Sequence, residues 1–72
     1  MVMANLLDRL SPRRRQILGL LAQGLANKEI AAQLDPPASE ETVKGHLKAI
    51  FVLLDVQSRA GAVAVWLRYL GD

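Results

Sequence analysis

Cysteine is absent from the 72 residues, which rules out disulfides and thiolate metal sites as supports for the fold. There is one histidine. An imidazole without a thiolate or a second histidine beside it is a poor start for a metal centre, so no metal and no cofactor are expected. Aromatic residues make up 4% of the chain, and the core has to be built from Leu, Ile, Val and Ala. No apolar run approaches the roughly 18 residues that a membrane span requires. The N-terminus lacks the basic-then-apolar layout of a signal peptide. A cytoplasmic protein without membrane contact is expected. No serine sits in a recognisable nucleophile elbow, and Glu40 and Glu41, being adjacent, project to different sides. An enzyme is therefore not expected, nor a small-molecule ligand.

What is present is apolar: 51% of the residues are hydrophobic. A single domain of this length lies near the lower limit at which a core forms without staples. So large an apolar share implies that some of it remains for a partner. Nine Lys and Arg against seven Asp and Glu leave a formal charge of only +2. Charge placement, not total charge, must carry any argument for nucleic acid.

The pattern contains no strand candidate and no repeat, and predicts an all-α fold, a compact four-helix bundle containing a helix-turn-helix. Residues 1–10 read as a lead-in whose Leu6, Leu7 and Leu10 can fold back as a lid. Residues 11–70 form the domain. Ser11-Pro12 is a good N-cap followed by a proline suited to the first helical position. Ile17, Leu18, Leu21 and Leu25 carry the apolar side of the first helix, and Gly24 is its expected stop. A second helix opens near Asn27 and is broken by Asp35-Pro36-Pro37. Ser39 caps a third, with Glu40 and Glu41 in the first turn, where the macrodipole favours anions. After a break at Asp55 to Ser58, a fourth helix runs from Arg59 to Leu70, with Gly71 at its end.

The third helix divides into two faces. At about 100° per residue, Val43, Leu47, Ile50, Phe51 and Leu54 share one third of the circumference and should be buried. Glu41, Gly45, Lys48, Ala49 and Val52 lie opposite, with Lys44 on one shoulder and Thr42 on the other. A glycine inside a helix costs about 1 kcal/mol relative to alanine, which a purely structural helix gains nothing by accepting. Gly45 and Ala49 together make a smooth track between two lysines. That shape suits a groove with base edges on its floor and phosphates along its walls. A solvated lysine face is the plainer explanation of Lys44 and Lys48 alone. The small-residue track and the preceding break favour the groove.

Leu10-Ser11-Pro12-Arg13, Gly24, Asn27-Lys28-Glu29-Ile30-Ala31, Ser39 with Thr42-Val43-Lys44, His46-Leu47, Ile50-Phe51, Leu54, Ser58-Arg59 and Ala62 form an ordered series. It resembles the LuxR-type (GerE-like) helix-turn-helix domain of bacterial transcription regulators, from about Leu10 to Leu67. The resemblance implies a third helix in the major groove and a fourth that often pairs two copies. By matching position it implies base reading by Lys44, Gly45 and Lys48 and backbone contact by Lys28 and Thr42.

The chain departs from that pattern in places. Arg14 and Gln16 stand where glutamates are usual, so Ser11 lacks its capping-box partner. Ala26 replaces a Ser or Thr cap, a role that Asn27 is expected to take. The turn is two residues longer, and Ala38 stands where a larger residue plugs the core. Leu53 replaces a basic residue, leaving an apolar side chain exposed. Arg13, Arg14 and Arg15 can serve phosphate contact or solubility equally well. Arg59 opposes the dipole at its helix start, which calls for a carboxylate or a carbonyl of the third helix as partner. His46 is expected to be half-buried. In the last helix Ala62, Val63, Trp66 and Leu70 should cover the core, leaving Val65 and Tyr69 exposed, with Leu67 near the border, as a dimer interface. The plainer alternative is that another domain of a longer regulator covers this face.

The expected function is sequence-specific binding of double-stranded DNA in transcription regulation, as a homodimer. RNA polymerase is a further candidate partner. The competing reading is a helical protein-interaction module that kept the fold and lost groove reading.

Overall fold

The computed structural model describes the backbone of residues 6–70 and the side chains of residues 6–69. A single 3-10 turn, Leu6–Arg9, leads into four helices: α1 (Pro12–Ala22), α2 (Asn27–Gln33), α3 (Glu40–Leu54) and α4 (Arg59–Leu70). Among the described residues there is no strand. No single helix among them is long and apolar enough to cross a membrane. Gly71 as the end of α4, and Leu70 as a core residue, lie outside what is described.

Each helix begins and ends where local chemistry requires it. Ser11 is extended, and its Oγ accepts from the Arg14 amide at 3.2 Å, so α1 is capped without a reciprocal glutamate. Gly24 follows α1 at φ 89°, a left-handed conformation open to glycine, and its amide donates to the Leu21 carbonyl. Ala26 holds the cap position of α2 and has no side chain to accept with. Half of a capping box survives, because Glu29 Oε1 accepts from the Ala26 amide at 2.9 Å. Asn27 does not replace the cap as expected. It is the first helical residue, and its Oδ1 is taken by Arg59. Ser39 Oγ accepts from the Thr42 amide at 3.1 Å and donates to Thr42 Oγ1 at 3.0 Å, which starts α3. Asp55 closes α3 in the left-handed region, at φ 56° and ψ 47°. Ser58 Oγ accepts from the Gly61 amide at the start of α4.

The turn between α2 and α3 contains a cis Asp35–Pro36 bond and is tied down from two sides. The Ala38 amide donates to the Ala31 carbonyl at 3.1 Å. Arg13 of α1 donates to the carbonyls of Asp35 (3.2 Å) and Pro36 (2.8 Å). Ala38 is half-buried against the core. The longer link is thus held by polar bonds, while Ala38 stands at the place of the larger plug of the family pattern.

One aliphatic core joins the elements. Ile17, Leu18 and Leu21 come from α1, Ile30 and Ala31 from α2, and Val43, Leu47, Ile50 and Leu54 from α3. Leu34, Ala62 and two lead-in residues, Leu7 and Leu10, complete it. The 3-10 turn packs on α3 and α4, while α1 touches all three other helices. Trp66 crosses α1 at Gly19, where a Cβ would come within 3.2 Å of the indole ring.

Two expectations about exposure fail. Val65 and Tyr69 are half-buried against the core, because α4 lies with a wider face on the bundle than Ala62, Val63 and Trp66 alone would give it. Leu53 is also half-buried. Arg9 of the lead-in donates to its carbonyl, so the chain before α1 runs close to the end of α3. Phe51, placed in the buried stripe, is half-buried.

Because Leu7 is 5% exposed, Leu7→Ala should lower the free energy of unfolding by about 2–4 kcal/mol. A urea unfolding curve with an unshifted midpoint would show that the lead-in is not part of the cooperative core.

Candidate nucleic-acid interface

The rotation of α3 follows from its buried stripe. With Val43, Leu47, Ile50 and Leu54 inside, the opposite side must face out, and Glu41, Lys44, Gly45, Lys48 and Val52 are all exposed. Ala49 is half-buried. A Cβ built on Gly45 meets nothing within 4 Å, so the ridge is open where the helix carries no side chain. Val52, 79% exposed, ends the ridge with an apolar group.

Lys44, Gly45 and Lys48, the three residues expected to read bases, line one open cleft of about 490 Å³. Its other walls are Glu41, Leu47 and Phe51 of α3, Asn27 at the start of α2 and Arg59 at the start of α4. Thr42 and Lys28 are exposed nearby in sequence, in the first turns of α3 and α2, but do not line the cleft. Lys44 Nζ lies 3.6 Å from Glu41 Oε1 in an exposed i,i+3 pair. Such a pair is worth a few tenths of a kcal/mol and is readily exchanged for another partner. His46 is half-buried, and no group of metal-ligating side chains occurs among the described residues.

Sequence reasoning missed the bracket at the cleft rim. Arg59 donates to Asn27 Oδ1 at 2.6 Å and to the Leu25 carbonyl at 3.2 Å. Its partners belong to α2 and the link before it, not to α3 as expected. The misplaced positive charge at the start of α4 was the visible signal; the direction of the side chain was not. Two members of the arginine run also make bonds within the domain. Arg13 holds the α2–α3 turn, and Arg15 donates to the Leu7 carbonyl at 3.1 Å and pairs with Asp8 at 3.5 Å.

Short helices, a tied turn and an open third-helix ridge agree with a match between residues 8–66 and the family model for bacterial regulatory proteins of the luxR family. The chain belongs to the luxR family. It is 49% identical over 59 residues to the nitrate/nitrite response regulator protein NarL of Escherichia coli (strain K12), a match covering 82% of this chain and 26% of NarL. A nitrate/nitrite response regulator protein homolog from Haemophilus influenzae is 45% identical over 62 residues, covering 86% of this chain and 29% of that protein. The probable HTH-type transcriptional regulator GfsR of Streptomyces halstedii is 40% identical over 62 residues, covering 86% of this chain and 25% of GfsR. The chain therefore spans about a quarter of the length of these curated relatives. The family and its regulator homologues support DNA-binding transcription regulation.

In this luxR-family chain Gly45 sits in a helix interior with open space around it. Gly45→Ala should accordingly raise the free energy of unfolding by about 1 kcal/mol. A destabilised variant in thermal or urea unfolding would mean that the ridge is not as open as described.

Proposed function

We propose that this domain binds double-stranded DNA sequence-specifically by laying α3 in the major groove. The observation that supports this most is the open ridge around Gly45, held outward by the buried stripe of Val43, Leu47, Ile50 and Leu54 and flanked by Lys44 and Lys48. A groove of about 12 Å admits a helix, and a helix without side-chain bulk at its centre can approach closely. Lys44 and Lys48 contact base edges, preferably guanine O6 and N7, or the nearest phosphates. Lys28 and Thr42 contact the sugar–phosphate backbone, with the amides at the start of α3 beside them.

Three lysines per copy are few. Counterion release then gives a slope of log affinity against log salt no steeper than roughly −3 per copy, reached when all three meet phosphate, and weak binding by a monomer. A second copy supplies the remaining affinity, at half-sites about 10 base pairs apart. The dimer is proposed to form through α4, where Leu67 is 64% exposed. Val65 and Tyr69 contribute only the parts of their side chains that the core leaves uncovered.

Binding to mixed-sequence duplex should weaken steeply with salt. In a Lys44→Ala/Lys48→Ala variant it should fall at every salt concentration, with the slope shallower by about 1 for each of the two that meets phosphate and not a base edge. No duplex binding at low salt, from protein shown to be folded, would favour a protein-interaction module.

Leu67→Glu should keep the monomer folded and its single half-site binding intact, while removing the gain from a second half-site. Unchanged binding to both duplexes would place the dimer contact elsewhere.

A further inference from the structure

Glu41 is the one charged residue of the α3 ridge that the proposed contacts do not use. It is exposed, with 85% of its side-chain surface open, and it lines the same cleft as Lys44, Gly45 and Lys48. A carboxylate facing a phosphate repels it, which would count against DNA binding. A carboxylate facing a base edge does not: it accepts hydrogen bonds and can take them from an exocyclic amino group. Position decides between the two. Glu41 lies in the first turn of α3, the end of a recognition helix that contacts base edges. It shares the face of Gly45 and Lys48 at i,i+4 and i,i+7.

The ion pair sharpens the argument. Lys44 Nζ and Glu41 Oε1 stand 3.6 Å apart, a donor beside an acceptor. In the major groove a C·G pair offers the opposite arrangement, the N4 amino donor of cytosine beside the O6 and N7 acceptors of guanine. Resting on the groove-reading proposal above, we infer that Glu41 is a specificity-determining residue. It accepts from the cytosine N4 amino group of the base pair whose guanine Lys44 contacts. The exposed ion pair opens at little cost, and each partner exchanges the other for a base atom of suitable polarity.

The neighbouring acid supplies a control. Glu40 is also exposed in the first turn, where it serves the helix dipole equally well. It stands about 100° around the helix from Glu41. If Glu41 were only a dipole or solubility residue, the two would be interchangeable.

The test is random-oligonucleotide selection with the wild-type chain and with Glu41→Ala, Glu41→Gln and Glu40→Gln, followed by affinity measurements on the selected duplex and its single-pair variants. Wild type should fix a C·G pair at one position. Glu41→Ala should lose discrimination there, roughly tenfold or more, and nowhere else. Glu41→Gln should shift that position toward A·T, because an amide both donates and accepts and so matches adenine N6 and N7. Glu40→Gln should leave the selected site unchanged. A uniform rise in affinity for all sequences in both Glu41 variants, with the same selected site as wild type, would overturn this inference while leaving groove reading intact. A folded wild-type chain that enriches no duplex at all would overturn both.

Discussion

Val43, Leu47, Ile50 and Leu54 repeat at intervals of three and four along α3 and are all buried. Rotating α3 by one residue, about 100°, would carry much of this stripe into water and bring charged neighbours inward. The burial of that stripe therefore fixes the rotation of α3. Fixing the rotation also fixes which residues stand outward. Glu41, Lys44, Gly45 and Lys48 form one ridge because their neighbours have a core to fill.

The basic residues divide by type. Arg9, Arg13, Arg15 and Arg59 all donate to backbone carbonyls: of the α3 end, the α2–α3 turn, the lead-in and the link before α2. A planar guanidinium with several fixed donors suits that task better than an ammonium group on a flexible stem. The guanidinium of Arg68 lies 5.6 Å from the Tyr69 ring centre, within reach of a cation–π contact. Lys28, Lys44 and Lys48, by contrast, are exposed, and Lys44 engages only a replaceable carboxylate. In a domain too small for a large core, these four arginines secure the links between elements and the three lysines remain available for a ligand.

The capping residues Ser11, Ser39 and Ser58, the glycine after α1 and the prolines after α2 made all four helices readable in the sequence, because each signal acts locally. The α3 stripe was readable for the same reason, since period alone divides a helix into faces. What was not legible depends on contacts between elements far apart in sequence. The reach of Arg59 to Asn27 crosses 32 positions and that of Arg9 to Leu53 crosses 44, and no local pattern reports either. Val65, Tyr69 and Leu53 looked exposed because the α4 face and the lead-in that cover them could not be placed from period alone. On the ridge itself, Lys44, Gly45 and Lys48 could be grouped from spacing, whereas the Glu41–Lys44 pairing depends on side-chain direction.

Chemical-shift mapping of the 15N-labelled chain titrated with duplex DNA tests most directly the claim that this ridge is the surface the domain offers to DNA. The largest perturbations should fall on the amides of residues 41–48 in α3 and those around Lys28, with the centre of α1 little changed. Perturbations confined to α4 around Leu67, or absent from residues 41–48, would contradict it.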